Sequence, residues 1–261
     1  MKNKKTRIDV LLVERGLAPT RQRAQALIMA GQVRIDGKPA RKPSETANAS
    51  AQLEVLGPDS KYASRAGLKL EGALADFSVD VSNATCLDVG ASNGGFTDCL
   101  LQHGAHRVYA VDVNTTQLDW KLQRDPRVHA IKKNARFLKP ADVAESPSII
   151  TIDVAFISVT KILSAIAVVA QPGATFLILV KPQFELEKKL IGKGGIVRDA
   201  QLHQRAITSV RAAAEKSDLE ILGVQPSHVA GAEGNQEYFL HARRSDSIQS
   251  FEIHAPPPKH D

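Results

Sequence analysis

"LDVGASNGGFTDCLLQHGAHRVYAVDV", residues 87–113, decides the fold. An apolar strand, "TCLDVG", runs into a turn of small residues, "GASNGG". A helix follows with Phe96, Leu100 and Leu101 on its apolar face, and a second strand, "RVYAVDV", ends in Asp112. Small residues let the backbone of such a turn approach a ligand closely, and the helix N-terminus favours polar or anionic groups. A carboxylate placed like Asp112 can accept hydrogen bonds from both hydroxyls of a ribose. NAD and S-adenosylmethionine both carry one. A dinucleotide fingerprint reads G-x-G-x-x-G; here Gly90, Gly94 and Gly95 give G-x-x-x-G-G, with Asp88 just ahead. An acid there repels a pyrophosphate and suits a sulfonium ligand with a cationic amino group. S-adenosylmethionine is therefore the expected ligand, against Asp88, Gly90, Ala91, Ser92, Asn93, Gly94, Gly95, Phe96, Thr97, Asp112 and, further on, Asn134. A tight strand-to-helix turn with no ligand is the alternative reading.

Downstream the pattern keeps alternating, as in a doubly wound sheet. Strands are predicted at "RVHAI", "SIITIDVAF", "ATFLILVKPQF", "LEILGVQP" and "QEYFLHAR", and helices near 117–123, 157–170 and 199–216. Upstream, a helix from Ser64 carries Leu70, Ala73, Leu74 and Phe77 on one face, with Lys69 off that stripe. Ligands in such sheets bind beyond the carboxyl ends of the strands. Those ends hold Asp153 and Lys181. Glu237 opens the last strand, and joins them if that strand runs antiparallel. Each can be a plain strand-end charge. But Asp153 sits inside "IITIDVAFI" and Lys181 directly ends "FLILV", where an unpaired charge is costly.

The charge is uneven. Residues 1–45 hold eleven Lys/Arg against four Asp/Glu, so the formal +6 of the whole 261-residue chain sits at this end. Such asymmetry suggests a polyanion-binding segment. The segment is also patterned. "RIDVLLVERG" places Ile8, Leu11 and Leu12 on one helical face; "TRQRAQALIMAG" offers Thr20 as a cap, repeats the face with Ala24, Leu27 and Ile28, and stops at Gly31; "QVRIDGKPA" alternates and turns at Asp36-Gly37. Arg21 and Arg23 lie in the first turn of the second helix, against its dipole, a placement easier to explain if they meet phosphate. The spacing R-x-D-x-L-L-V-x-R-G-L…T-R-x-x-A-x-x-L-I-x-x-G-x-V-x-I-D-G resembles the S-four RNA-binding fold. The resemblance implies recognition of structured RNA by shape and phosphate contacts, and Arg7, Arg15, Arg21, Arg23 and Arg34 are the candidate RNA-binding residues.

Composition limits the remaining classes. At 43% hydrophobic and 24% charged residues the chain is ordinary globular material. Cys86 and Cys99, both in apolar elements, suit a reducing compartment and offer no metal set. "TFLILV" and "AIAVVA" are too short to span a bilayer, and Glu14, Arg15 and Arg21 interrupt any signal core. A cytoplasmic protein with no membrane partner is expected. "KPSETANASAQLEVLGPDSKYASR" reads as a linker in which "QLEVL" adds a strand, with a boundary at Pro58 and Asp59. The expected division is 1–60 for the RNA-binding unit, 61–244 for the sheet domain, and 245–261 for an irregular tail.

"DVGASNGGFTDCLL", "IDVAFISV", "LVKPQFE", "GKGGIVRD" and "GNQEYF", behind an S-four unit, resemble the TlyA family, also labelled hemolysin A, which belongs with the FtsJ-like ribose methyltransferases. The resemblance covers about residues 6–243. It implies an α/β, Rossmann-like, S-adenosylmethionine-dependent enzyme that methylates ribose 2′-hydroxyls of cytidine in ribosomal RNA, with ribosomal subunits as partners. It carries a Lys-Asp-Lys-Glu tetrad onto Lys69, Asp153, Lys181 and Glu237. Three positions depart from the pattern: Asn93 where Thr is common, Ala155 where Ser is usual, and "VDVNTTQL" after the ribose-binding acid. The chemistry can be argued separately. A sulfonium methyl is already activated, so the enzyme aligns oxygen, carbon and sulfur in line. A ribose hydroxyl is a poor nucleophile and needs a base; a lysine serves when burial and a second cation favour its neutral form, and acids hold it in place. Lys181 is assigned as base or orienting group, Lys69 as its cationic partner, and Asp153 and Glu237 as positioners. The reaction requires neither a metal nor a covalent intermediate. An RNA-binding module with an inactive catalytic half, or a membrane-lytic protein, are the alternatives.

Overall fold

The computed structural model describes residues 5–29, 33–40, 42–55, 61–231 and 234–246. The helix stop at Gly31, the boundary at Pro58 and Asp59, and the tail beyond Asp246 lie outside the described residues. The chain divides into two compact units, residues 1–61 and 62–261.

The first unit runs β1 (Lys5–Arg7), α1 (Ile8–Glu14), α2 (Arg21–Met29), β2 (Val33–Ile35), β3 (Lys38–Pro39), β4 (Thr46–Asn48) and β5 (Leu53–Val55). The helices bury the stripes read from the sequence, Ile8, Leu11 and Leu12 against Ala24, Leu27 and Ile28, with Val33 and Leu53 closing the core. Each fully buried aliphatic side chain contributes roughly 1.5–3 kcal/mol. The Thr20 hydroxyl caps α2 by accepting the Arg23 N–H at 3.2 Å. Asp36 and Gly37 both have positive φ, 48° and 77°, the geometry of a two-residue hairpin turn, and join β2 to antiparallel β3. β5 pairs with the other edge of β2. The segment expected to be a linker also supplies β4, antiparallel to β1.

The second unit runs α3 (Ala66–Asp76), β6 (Thr85–Val89), α4 (Gly95–Gln102), β7 (Arg107–Asp112), α5 (Trp120–Arg124), β8 (Val128–Lys132), β9 (Ile149–Ile152), α6 (Leu163–Ala167), β10 (Thr175–Val180), α7 (Pro182–Glu185), α8 (Ala200–Glu215), β11 (Leu219–Pro226) and β12 (Tyr238–Arg244). One sheet orders its strands β8-β7-β6-β9-β10-β12-β11. From β8 to β10 all neighbours are parallel; β12 runs antiparallel to both β10 and β11. The continuous apolar runs of β6, β9 and β10 are buried on both faces, as strands of a covered parallel sheet must be. Alternate residues enter opposite layers: Leu87, Val89, Ile150, Ile152, Phe176 and Ile178 meet α6 and α8, while Cys86, Ile149, Leu177 and Leu179 meet α3 and α4. Two helices are shorter than their patterns suggest. New caps divide them: Ser158 starts a short turn at Val159–Lys161 ahead of α6, and Asp119 accepts the Lys121 N–H and starts α5 after a separate turn at Thr115–Gln117. The chain winds outward from β6 to β8, then crosses back to β9. A crevice therefore opens at the carboxyl ends of β6 and β9, where the order reverses.

Candidate active site

The crevice is built by the glycine turn. Gly90 has φ +87°, and a Cβ there would come within 2.2 Å of the Asp153 carbonyl oxygen, so only glycine permits β6 and β9 to exit this close together. The N–H groups of Gly90 and Ala91 both donate to the Val111 carbonyl, at 2.8 and 3.1 Å. Ser92, with φ 48°, donates its N–H to Asp112 Oδ2 at 2.9 Å. The result is a cleft of about 190 Å³ lined by Gly90, Ala91, Ser92, Asn93, Gly95, Phe96, Asp153, Ala155 and Lys181. Ser64 and Ala66, at the start of α3, complete it; these two escaped the sequence reading because no local pattern marks the approach of α3 to the turn. Whole small-molecule sites typically span roughly 300–1,000 Å³, so the cleft proper has room for one end of such a ligand. Asp112, the last residue of β7, and Asn134, just after β8, lie outside it along the same sheet edge. Asp112 also accepts the Asn114 N–H at 2.9 Å and keeps lone pairs for further donors. Asn134 accepts the Arg136 N–H at 3.0 Å.

Three residues expected at the ligand are turned away. Gly94 faces Leu118 and Leu122. Thr97 is fully buried and donates its hydroxyl to Asp88 Oδ2 at 2.6 Å. Asp88 itself is 0% exposed, and its other oxygen accepts the Thr151 hydroxyl at 3.2 Å. The acid expected to meet a cationic amino group is thus a core residue beneath the turn. Burial pushes its carboxyl up to about 7, the nearby Asp153 charge adds to this, and the Thr97 and Thr151 hydroxyls oppose it. β6 is buried on both faces, so alternation could not reveal which way Asp88 points.

The tetrad assembles as two ion pairs. Val180 on β10 is in register with Tyr238 on β12, so Lys181 and Glu237 flank the same step of adjacent antiparallel strands, and Asp153 follows β9 on the other side of β10. Lys181 Nζ pairs with Asp153 Oδ1. Lys69 reaches from α3 to Glu237 Oε2 at 2.6 Å; the lysine is 9% and the glutamate 2% exposed. Buried charges persist only when paired, so the helix position of Lys69, unremarkable in sequence, is fixed by a partner 168 residues away. Gly231 packs on that carboxylate: a Cβ there would lie 2.1 Å from Glu237 Oε1.

The other motifs clamp these pairs in place. Asn235, 3% exposed, accepts the Val197 N–H and donates to the Gly195 carbonyl, both at 3.0 Å, tying "GKGGIVRD" to the segment that carries Glu237. Glu185, whose carboxyl burial pushes up, accepts the Ser158 hydroxyl at 2.5 Å and the Val159 N–H at 2.9 Å, tying "LVKPQFE" to "FISV". Phe156 was missed from sequence. It follows the cleft residue Ala155, adopts φ 64°, is 93% exposed, and its ring lies 5.4 Å from that of Phe184. A large aromatic three residues after the strand-end acid Asp153 was the available signal.

In the first unit the candidate arginines divide. Arg7 and Arg21 both bond the buried Asp9 carboxylate. Arg15 donates to the carbonyls of Ala51 and Ala49, at 2.6 and 2.5 Å, and so braces the turn between β4 and β5. Arg23 and Arg34 are exposed and make no ion pair among the described residues. The first-turn placement of Arg21 therefore has an internal explanation in Asp9 and does not by itself require a phosphate.

A covered, mostly parallel seven-strand sheet with one antiparallel strand, and a glycine-turn cleft at its order reversal, define a Rossmann-like methyltransferase. Comparison agrees: residues 62–244 match the FtsJ-like methyltransferase family and residues 6–53 match the S4 domain. The 16S/23S rRNA (cytidine-2′-O)-methyltransferase TlyA of Mycobacterium tuberculosis is 43% identical over 242 residues, 92% of this chain and 90% of that protein. A solved structure from Streptococcus thermophilus, provisionally named a hemolysin, is 42% identical with a TM-score of 0.71, covering 94% of this chain and 90% of that one. An S-adenosylmethionine-dependent methyltransferase structure from Mesorhizobium loti shares the fold alone, at 14% identity and a TM-score of 0.51, over 67% of this chain and 98% of that one. The chain belongs to the FtsJ-like methyltransferase family, and S-adenosylmethionine is its methyl donor.

Proposed function

We propose that the protein methylates a ribose 2′-hydroxyl of ribosomal RNA, with cytidine as the nucleoside. The observation that carries this reading is two ion pairs on the sheet edge beside the glycine turn, Lys69–Glu237, which is buried, and Lys181–Asp153, which is partly exposed and lines the cleft. Bound S-adenosylmethionine supplies an electrophilic methyl. The turn residues Gly90 to Asn93 fit one end of that molecule through backbone approach, and Asp112 suits its ribose. Lys181, which lines the cleft, acts as base in its neutral amine form: it orients the 2′-oxygen and accepts its proton as the oxygen–carbon bond forms and the carbon–sulfur bond breaks, and the ammonium so formed pairs with Asp153. Asp153 fixes the Lys181 ammonium, and Glu237 fixes Lys69. With Lys181 neutral the four groups carry one net negative charge beside the sulfonium, and the proton taken from the 2′-hydroxyl brings them to none. Exposed Phe156 offers a face on which the target base can stack. In this reading residues 1–61 hold structured RNA by phosphate contacts, and the enzyme works on ribosomal subunits in the cytoplasm.

Tritiated methyl transfer to separated subunits and to naked ribosomal RNA, followed by nucleoside analysis, tests the reading. A 2′-O-methylcytidine product is expected. A methylated base, or label only in protein, overturns it. A lytic activity has less support, because no helix among the described residues is long and apolar enough to cross a membrane.

A further inference from the structure

Asp9 is the one fully buried charged side chain among the described residues of the first unit. It lies in the first turn of α1, where an acid meets the positive end of the helix. Its Oδ1 accepts Arg7 Nε, and its Oδ2 accepts Arg7 Nη2, Arg21 Nε and Gln25 Nε2, all at 2.9 Å. Arg7 ends β1 and Arg21 begins α2, so one carboxylate joins two guanidinium groups from different elements. Both arginine side chains stay open to solvent, 41% and 54% exposed. A guanidinium carries five N–H donors in a planar fork. Arg7 engages Asp9 with two nitrogens and Arg21 with Nε alone, so most of their donors are not used by Asp9. The arginine bonds also hold the Asp9 carboxyl well below the usual range, so the cluster keeps one positive charge in excess.

A knot meant only for stability has no need of this arrangement, because buried ion pairs are often matched by apolar residues of the same volume. What the knot adds is geometry: two guanidinium groups tied to one carboxylate, both partly open to solvent. We propose that Asp9 is a positioning residue for RNA, holding Arg7 and Arg21 as a preorganised clamp for backbone phosphate. The proposal rests on the reading that residues 1–61 bind RNA. It specifies how: the arginines act as a pair fixed before the RNA arrives, which removes the ordering cost from binding.

The sign of one substitution separates the possibilities. Asp9→Asn raises the net charge by one, so if charge alone governs binding, RNA affinity rises. If Asp9 only stabilises the fold, affinity is unchanged while the melting temperature falls. As a positioning residue, Asp9→Asn weakens binding of the full chain to a labelled RNA hairpin by about fivefold or more despite the added charge, the lower end of the scale for freeing two ordered side chains. Calorimetric binding of S-adenosylhomocysteine stays unchanged. In an Arg7→Ala, Arg21→Ala background, Asp9→Asn makes no further difference to RNA affinity. Should Asp9→Asn fail to fold, Arg7→Lys with Arg21→Lys keeps the charge and loses the fork, and the same several-fold loss is expected. Tighter or unchanged binding in Asp9→Asn or, where that variant does not fold, in the double lysine variant overturns the proposal. If the double alanine variant also binds normally, the reading of the first unit as the RNA anchor fails with it; if that variant alone loses affinity, the anchor stands and only the role of Asp9 falls.

Discussion

Replacing Glu237 with Gln tests why the Lys69–Glu237 pair is buried at all. The carboxylate is 2% and the lysine 9% exposed, so the substitution leaves an ammonium with little water and no counter-charge. Breaking a buried pair from one side costs roughly 3–5 kcal/mol. The lower end applies here, because Gln keeps the shape and one acceptor oxygen, and the lysine side chain is not wholly removed from solvent. A loss of about 3 kcal/mol in a unit of this size lowers the melting temperature by roughly 6–12 °C. Circular dichroism melts of the full chain measure it. The double variant Lys69→Met with Glu237→Leu removes both charges at similar volume and should recover to within about 1 kcal/mol of the parent, since apolar replacement of a whole buried pair is often neutral. It should transfer no methyl. An unchanged melting temperature in Glu237→Gln means the pair is not desolvated as described. An active double variant means the pair has no part in the reaction, and the tetrad reading fails.

Three further outcomes are expected. Lys181→Ala abolishes methyl transfer while S-adenosylhomocysteine affinity stays within a few fold; near-normal turnover removes Lys181 from the mechanism. Asp112→Ala weakens cofactor binding by roughly 1.5–3 kcal/mol, the scale of hydrogen bonds to a charged group, and calorimetry showing unchanged affinity means the ribose is held elsewhere. Asp88 governs part of the pH dependence of stability. Its carboxyl sits at about 7 in the folded protein and near 3.9 in an unfolded chain. Between these values the folded state holds a proton that the unfolded state has lost, so stability falls as pH rises through that window and levels off above it. Denaturant titrations at a series of pH values should show this fall in the parent and a flatter profile in Asp88→Asn. Equal profiles would mean that Asp88 is solvated.

The sequence alone determined the strand-turn-helix-strand unit, the alternating sheet domain, the two helical stripes of the first unit and the hairpin at Asp36-Gly37. These are local: periodicity, caps and small-residue turns act within a few residues of chain. It also marked Asp153 and Lys181, because a charge ending an apolar strand is legible where it stands. Only the tertiary structure decided which charges meet. Lys69 and Glu237 are far apart in sequence, and a surface lysine on a helix looks the same whether it is solvated or buried against an acid. Asp88 could not be oriented from sequence because β6 is covered on both faces, so the inward and outward positions are equally apolar. Arg7 and Arg21 read as free basic residues until the packing of α1 on α2 brought both to Asp9. Pairing between distant side chains depends on where the backbone places them, and desolvation then determines that those charges must find partners.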